Sequence, residues 1–312
     1  MPTTPTPSET DLGVMLGDVR AYMEGGHFDA AFEMLAEHEA GLAGEPQRFA
    51  EASNLINLAY RYFVFGGAPG PALDALRLLF RVAARIDRDV GAVDADYLGI
   101  YLRALMASKS SALPLRRVLR QSTLVALFRD CAAGEGSVVE CGCARGNSFL
   151  QLCFQQAALR PGWQGEGFAI FDSFQGLSEP EAVDLDTSGM DPAEARRVLS
   201  MTKAGGMAYA YDEVSSQVWS EFPRVAIHPG WLPESLRSAP EARYRFVHVD
   251  VDLYAPTLGC FEYFYPRLLP GGIIVTDDYN WPGGRRAVDE FCAARGLKPR
   301  FTATHQAHLV AP

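Results

Sequence analysis

Apolar residues along the chain fall into two textures. In the first part they recur at helical intervals. Leu16, Val19, Tyr22 and Met23 share one helical face, and after the turn Gly25-Gly26-His27 a second stripe runs through Phe28, Ala31, Phe32 and Leu35. Two further amphipathic stretches, Leu55 to Phe65 and Ala72 to Ile86, are parted by Gly66-Gly67 and Pro69-Gly70. Helix pairs joined by glycine turns resemble tetratricopeptide-like hairpins, although their spacing exceeds the ~34-residue period of such arrays. The other reading is a helical cap on the domain that follows. Residues 11–125 are therefore expected to be an all-helical N-terminal domain, preceded by a short flexible tail, 1–10, rich in Pro and Thr.

From Ser137 onward, short β-rich runs alternate with helical stretches. The runs are Val138-Val139, Phe168 to Phe171, Val225 to Ile227, Phe246 to Val249 and Ile273 to Val275. This alternation predicts an α/β domain over 126–312, Rossmann-like, with a parallel sheet and helices on both faces. Right-handed crossovers bring the C-terminal ends of such strands to one edge, where these folds bind ligands.

Composition narrows the picture. The chain of 312 residues is 48% hydrophobic and 21% charged, enough apolar material for a sizeable core. A net charge of −10, from 28 basic and 38 acidic side chains, argues against unassisted binding to nucleic acid or to an anionic membrane. No apolar run approaches the ~18 residues of a membrane span. The opening MPTTPTPSETD lacks the basic leader and apolar centre of a secretory signal, so a cytoplasmic location is expected. Of the six cysteines, Cys141 and Cys143 form a CxC rather than the CxxC of redox or zinc sites, and buried free thiols are expected.

The candidate chemistry sits at strand ends. The first strand runs into Glu140-Cys141-Gly142-Cys143-Ala144-Arg145-Gly146-Asn147-Ser148, with a helix starting near Phe149. Glycines at a strand-to-helix turn let backbone approach a ligand, and Asn or Ser suits a helix cap. The G-x-x-x-G pattern is not the G-x-G-x-x-G that cradles a pyrophosphate, which disfavours a nicotinamide-dependent oxidoreductase and leaves room for a donor without phosphate such as S-adenosylmethionine. The second strand closes on Asp172, followed by Ser173-Phe174-Gln175-Gly176-Leu177. A carboxylate there suits ribose hydroxyls, though it could also initiate the loop.

Further on, the strand ending at Val249 delivers Asp250-Val251-Asp252, and the strand ending at Thr276 delivers Asp277-Asp278. A helix is expected to start near Pro256. Isolated, such aspartates are ordinary loop or cap residues. Closing two adjacent strands, four of them at one edge repel one another and call for a hard divalent cation. A hydroxyl beside such a cation ionises more easily, and a nearby carboxylate can take its proton.

These segments carry a specific resemblance. VVECGCARGNSF, FDSFQGL, HPGWLPESL, FVHVDVDLYAPT, LLPGGIIVTDDY and WPGGRRAVDEF, in that order, resemble the macrocin O-methyltransferase family of class I S-adenosylmethionine-dependent methyltransferases, which methylate sugar hydroxyls of macrolides and related glycosylated natural products. The resemblance implies Mg²⁺ on Asp250, Asp277 and Asp278, with Asp252 as general base. It implies donor contacts from Glu140, Gly142 and Gly146 to the methionine part and from Asp172 to the ribose, with Ser148 and Ser173 beside them. Two positions depart from the family pattern: Ala144 stands where a bulky aromatic is common, and Val251 where glycine is frequent.

The acidic stretch from Leu177 to Phe222, with Glu179, Glu181, Asp184, Asp186 and Asp191, reads either as a lid over donor and acceptor or as a surface loop. Trp231 and Tyr279 read either as acceptor-pocket residues or as packing, and His248 as a core residue beside the sheet. The expectation is a small-molecule O-methyltransferase with no nucleic-acid or membrane partner, in which exposed N-terminal helix faces could support a homo-oligomer. The competing class is an inactive methyltransferase-like adaptor that binds a protein through those helices.

Overall fold

A computed structural model describes residues 9–42, 46–85, 93–110 and 115–312. The expected tail lies, up to residue 8, outside the described residues, as does Ile86. The chain divides into two compact units, Met1–Met106 with Ser111–Leu115, and Ala107–Ser110 with Arg116–Pro312. The division falls ahead of the residue-125 boundary read from the sequence, because Arg116 onward groups with the sheet.

The first unit is helical: α1 Glu9–Glu24, α2 Phe28–Glu37, α3 Pro46–Phe65, α4 Pro69–Ala84 and α5 Ala95–Ala107. It buries most of the apolar stripes, with Leu16, Val19, Leu35, Ile56, Ala59, Leu76 and Val82 all but inaccessible, whereas Tyr22 and Phe65 stand exposed. Phe28 of α2 stacks on Tyr62 of α3 with centroids 4.0 Å apart, and Glu39 takes both Arg81 and Arg85 from α4. The helix α5 follows none of the stripes singled out above; its buried face is Tyr97, Leu98, Tyr101, Leu102 and Leu105.

The second unit opens with α6 Leu115–Arg129 and continues β1 Ser137–Cys141, α7 Asn147–Leu159, β2 Phe168–Asp172, α8 Pro192–Met201, α9 Tyr211–Glu221, β3 Ala226–Pro229, β4 Tyr244–Val249, α10 Tyr254–Phe264, β5 Leu268–Thr276, α11 Pro282–Arg295, β6 Arg300–Phe301 and β7 Ala307–Val310. The sheet order is β3-β2-β1-β4-β5-β7-β6. The strands β3, β2, β1, β4 and β5 are parallel, and β7 runs antiparallel to both β5 and β6. This is the expected Rossmann-like sheet of class I methyltransferases. The chain moves outward one way from β1 and then returns to β4 on its other side, so the ligand crevice of such a sheet opens above β1 and β4.

Each β4 residue is buried, and Val139, Val247, Val249, Ile274, Phe261, Phe264, Val288 and Phe291 form the core that grips the sheet. Register aligns Cys141 with Val249 and Val249 with Thr276, so Gly142, Asp250 and Asp277 leave their strands at one level. All six cysteines are free, five of them buried.

The strand expected from Ile273 begins at Leu268. Pro270-Gly271-Gly272 reads as a break, yet Leu268 still pairs with Tyr244, and pairing resumes at Ile273 after a register shift. Gly142 is fixed by its surroundings as much as by its positive φ of 79°: a Cβ there would land on the Asp250 carbonyl. Gly271 has a similar φ of 76° and open space around it. Gly271→Ala should therefore cost about 1 kcal/mol from backbone strain alone, whereas Gly142→Ala should cost about 3 kcal/mol or more by forcing β1 and β4 apart. Urea unfolding of the two variants measures the difference; equal losses would contradict it.

Candidate active site

The donor end of the crevice is built from β1 and β2. Glu140 is wholly buried, and its Oε1 lies 2.7 Å from His248 Nδ1. Among the described residues its Oε2 has no hydrogen-bond partner. Burial pushes its pKa up, against the opposing pull of His248 and Ser148. A buried carboxylate oxygen without a donor suits an ammonium group such as that of the methionine part of S-adenosylmethionine. Asp172 is held by backbone: its Oδ2 accepts the Cys143 N–H at 2.7 Å and its Oδ1 the Phe174 N–H at 2.7 Å. The loop-initiating role is thus real. Carboxylate oxygens have further lone pairs, so it does not exclude ribose hydroxyls. Ser173 organises the same turn, donating to the Gly176 carbonyl at 2.8 Å. Gly146, in the left-handed region, precedes α7 as its cap, and the helix starts at Asn147, ahead of the Phe149 expected. The residues Gln175, Leu177, Pro229, Gly230 and Trp231 help to line a cavity of ≈ 870 Å³ beside Asp172.

The acidic end is built from β4 and β5. Carboxylate oxygens of Asp250, Asp252 and Asp278 lie within 4.8 Å of one another, and a second group within the same limit joins His248, Asp250 and Asp277. The four aspartates thus fall into two overlapping groups with Asp250 common to both, and the expected ligands Asp277 and Asp278 do not stand together in either. Asp277 and Asp278, though consecutive, engage different partners. Asp278 Oδ2 accepts the N–H groups of Val251 at 2.9 Å and Asp252 at 2.8 Å. This fastens the loop after β4 to the end of β5 and holds Asp252 at a φ of 60°, which aspartate tolerates better than most residues. Asp277 instead takes Arg120 Nε at 3.1 Å, Gln306 Nε2 at 2.6 Å and, across a gap of 3.2 Å, His248 Nε2.

Electrostatics separate the four. Burial raises Asp250, with Asp277 adding to it; burial and Asp250 push Asp252 up to about 7; burial, Asp252 and Asp250 raise Asp278 well above the usual range. Burial would raise Asp277 too, but Arg120, His248 and Gln306 outweigh it and hold Asp277 well below the carboxylate range. Three carboxylates that resist ionisation at one place, all oxygen donors, fit a hard divalent cation.

Three contributors escaped the sequence reading. Arg120 on α6 is the counter-charge of the cluster; the run Leu115-Arg116-Arg117-Val118-Leu119-Arg120 puts Arg117 and Arg120 three apart on one helical face, which was its available signal. Gln306 arrives from the β6–β7 hairpin, where Thr123, Thr302 and Thr304 hold its Oε1. His248 was read as core packing. It is buried, but it touches a carboxylate at each ring nitrogen, and these outweigh burial to raise its pKa well above the ordinary value.

The acidic stretch from 177 to 222 is not a plain loop: it carries α8 and α9 and is fastened at several points. Asp184 is buried and accepts the Tyr254 N–H at 2.7 Å, where α10 begins, two residues before the Pro256 expected. Arg197 of α8 lies over Trp281, and Arg145 reaches both Glu213 of α9 and the Tyr209 ring. The glycines of Trp281-Pro282-Gly283-Gly284 admit close packing: a Cβ on Gly283 would strike the Asp184 carboxylate, and one on Gly284 the Asp278 backbone. Tyr279 packs against Phe301 and donates to Asp289, whereas Trp231 is 37% exposed at the cavity.

With this geometry in hand, comparison with known proteins is decisive. The sequence model of the macrocin-O-methyltransferase family (TylF) matches residues 122–307. The chain belongs to this family. Among macrocin-O-methyltransferase relatives, it is similar to 8-demethyl-8-(2,3-dimethoxy-alpha-L-rhamnosyl)-tetracenomycin-C 4'-O-methyltransferase of Streptomyces olivaceus, 32% identical over 170 residues, covering 52% of this chain and 60% of that protein. It is similar to mycinamicin III 3''-O-methyltransferase of Micromonospora griseorubida, 36% identical over 74 residues, covering 24% of this chain and 29% of that protein. Demethyldecarbamoylnovobiocin O-methyltransferase of Streptomyces niveus is 26% identical over 129 residues, covering 40% and 46% respectively. The chain thus spans less than two thirds of each of these relatives. Among the described residues no helix is long and apolar enough to cross a membrane.

The paired N–H groups on Asp278 give a prediction independent of catalysis. Asp278→Asn keeps an acceptor oxygen for Val251 and Asp252, while Asp278→Ala leaves both buried donors without one. The Ala variant should be less stable than the Asn variant by about 2 kcal/mol or more, measured by denaturant unfolding. Equal stability would mean that Asp278 does not hold this loop.

Proposed function

We propose that this protein transfers a methyl group from S-adenosylmethionine to a hydroxyl of a sugar or of a glycosylated or polyketide natural product, with the help of a divalent cation, Mg²⁺ or a similar ion. The observation that carries this reading is the convergence of Asp250, Asp252, Asp277 and Asp278 beside a buried Glu140 whose Oε2 lacks a partner. The activities of the relatives described above support the substrate class. We place the enzyme in the cytoplasm and the chemistry in the unit that starts at Arg116, which includes Arg120, with the helices before it as a helical module.

S-adenosylmethionine supplies an electrophilic methyl on a sulfonium. The Glu140 carboxylate would hold its ammonium and Asp172 its ribose, while Gly142 and Gly146 keep the turn between them free of side chains. Running from β1 past β2, the donor's base would reach the β3 end, where the cavity bordered by Trp231 lies. That position favours the donor's base over the acceptor for Trp231. Asp250, Asp277 and Asp278 would hold the divalent cation, which supplies Lewis-acid stabilisation of an ionising hydroxyl. Asp252 takes the acceptor's proton: a pKa pushed up to about 7 suits a base working near neutrality. As the new O–C bond forms, the C–S bond breaks and its electron pair stays on sulfur as a neutral thioether. The segment 178–222 acts as a lid, whose anchor at Asp184 positions it next to the acidic end and whose closure excludes water.

Asp252→Asn preserves the left-handed backbone, which asparagine also adopts, and removes the base. It should lower kcat by about 10²-fold or more while leaving binding of S-adenosylhomocysteine within about twofold. Unchanged kcat would remove Asp252 from the mechanism.

The raised carboxylates also fix a pH dependence. Groups whose folded-state pKa is raised contribute stability that is present below the unfolded value and lost as pH rises through the folded one, here about 7 for Asp252. The metal-free protein should therefore lose stability at this site as pH rises from about 4 to about 7. Mg²⁺ should raise Tm more at pH 8 than at pH 6, because protons compete for the same oxygens. Equal shifts at both pH values, or none, would contradict a cation on these carboxylates.

A further inference from the structure

His248 is the residue whose position the reaction as described does not use. It lies on β4 opposite Glu140 in the register with β1, and neither side chain has exposed surface. A neutral or charged imidazole buried on β4, level with Glu140 on one side and Val275 on the other, needs polar partners at both nitrogens, since an unsatisfied buried polar atom is costly. Its partners come from the two halves of the site. Nδ1 lies 2.7 Å from Glu140 Oε1 in a hydrogen bond, and Nε2 lies 3.2 Å from Asp277 Oδ1 in a charge contact without hydrogen-bond alignment. One rigid ring thus spans the carboxylate facing the donor and a carboxylate of the cation cluster. Asp277 is also held from its other side by Arg120 and Gln306, so the ring links that braced carboxylate to Glu140, whose outer oxygen has no partner among the described residues.

Resting on the methyl-transfer reading above, we propose that His248 is a positioning residue that couples the donor site to the cation site. Either ligand, by ordering its own carboxylate, orders the ring and with it the carboxylate at the far end. The second ligand then binds to a site already arranged, which is positive cooperativity. Linkage makes the effect reciprocal: the cation tightens the donor by the same factor as the donor tightens the cation. This role explains why a histidine, rather than an apolar residue, stands in a strand buried at each position.

The test measures binding rather than turnover. The full-length protein is titrated calorimetrically with S-adenosylhomocysteine, with and without saturating Mn²⁺, and with Mn²⁺, with and without saturating S-adenosylhomocysteine. In the wild type each ligand should tighten the other by about fivefold or more. In His248→Asn an amide takes the place of Nδ1 and reaches Glu140 alone; in His248→Gln it takes the place of Nε2 and reaches Asp277 alone. Both variants should bind each ligand singly and lose the mutual enhancement, with the donor product weakened more in His248→Gln and Mn²⁺ weakened more in His248→Asn. If either variant fails to fold by circular dichroism, the other, which severs the opposite link, should lose the enhancement likewise. Enhancement below twofold in the wild type, or enhancement that survives in the variants, overturns the coupling. Wild-type protein that binds no S-adenosylhomocysteine at all contradicts the methyl-transfer reading itself.

Discussion

Four carboxylates gathered at the ends of two neighbouring strands repel one another, and the sheet edge is organised around containing that repulsion. The parallel register sets Asp250 and Asp277 level, and Asp278 then ties the loop after β4 through two backbone N–H groups. Arg120 and His248 draw negative charge from Asp277, which leaves Asp250, Asp252 and Asp278 as the carboxylates whose ionisation is resisted. Such an arrangement is poor as a stabilising device and good as a receptor for a cation, because the cost of crowding is recovered only when a positive charge arrives.

The rest of the second unit supports that edge. Gly142 lets β1 close on the Asp250 backbone, and Gly284 lets α11 begin beneath Asp278, so both packing contacts are set by the absence of a side chain. Asp172 pins the β1–α7 turn by accepting the Cys143 N–H. A site built on strand ends and short braced turns holds its groups more narrowly than one on free loops. Near-attack alignment of hydroxyl and methyl requires that narrowness.

Much of this was legible in the sequence, and the parts that were not share a cause. The five parallel strands announce themselves as short β-branched runs, and the acids closing them follow directly. Residues whose meaning depends on a partner far along the chain do not: Glu140 meets His248 across 108 positions, and Arg120 meets Asp277 across 157. His248 therefore looked like packing, and Arg120 was not singled out. The helices α8 and α9 were hidden because their exposed faces are polar, with Val198, Val214 and Val218 among the few apolar residues they bury. The strands β6 and β7 were hidden because they are short, and Pro270-Gly271-Gly272 concealed the start of β5 because a register shift, not a loop, absorbs it. Asp184, one acid among several in the stretch after Leu177, is distinguished by its burial and by the N–H groups of Glu181 and Tyr254 that it accepts, the second 70 positions away.

The most direct measurement of the central claim is anomalous diffraction from crystals grown with Mn²⁺ and S-adenosylhomocysteine. The account predicts one strong manganese peak within coordination distance, about 2.2 Å, of oxygens from Asp250 and the Asp277–Asp278 pair, beside the thioether of the bound product. A structure with the product in place and no manganese among these aspartates would contradict it.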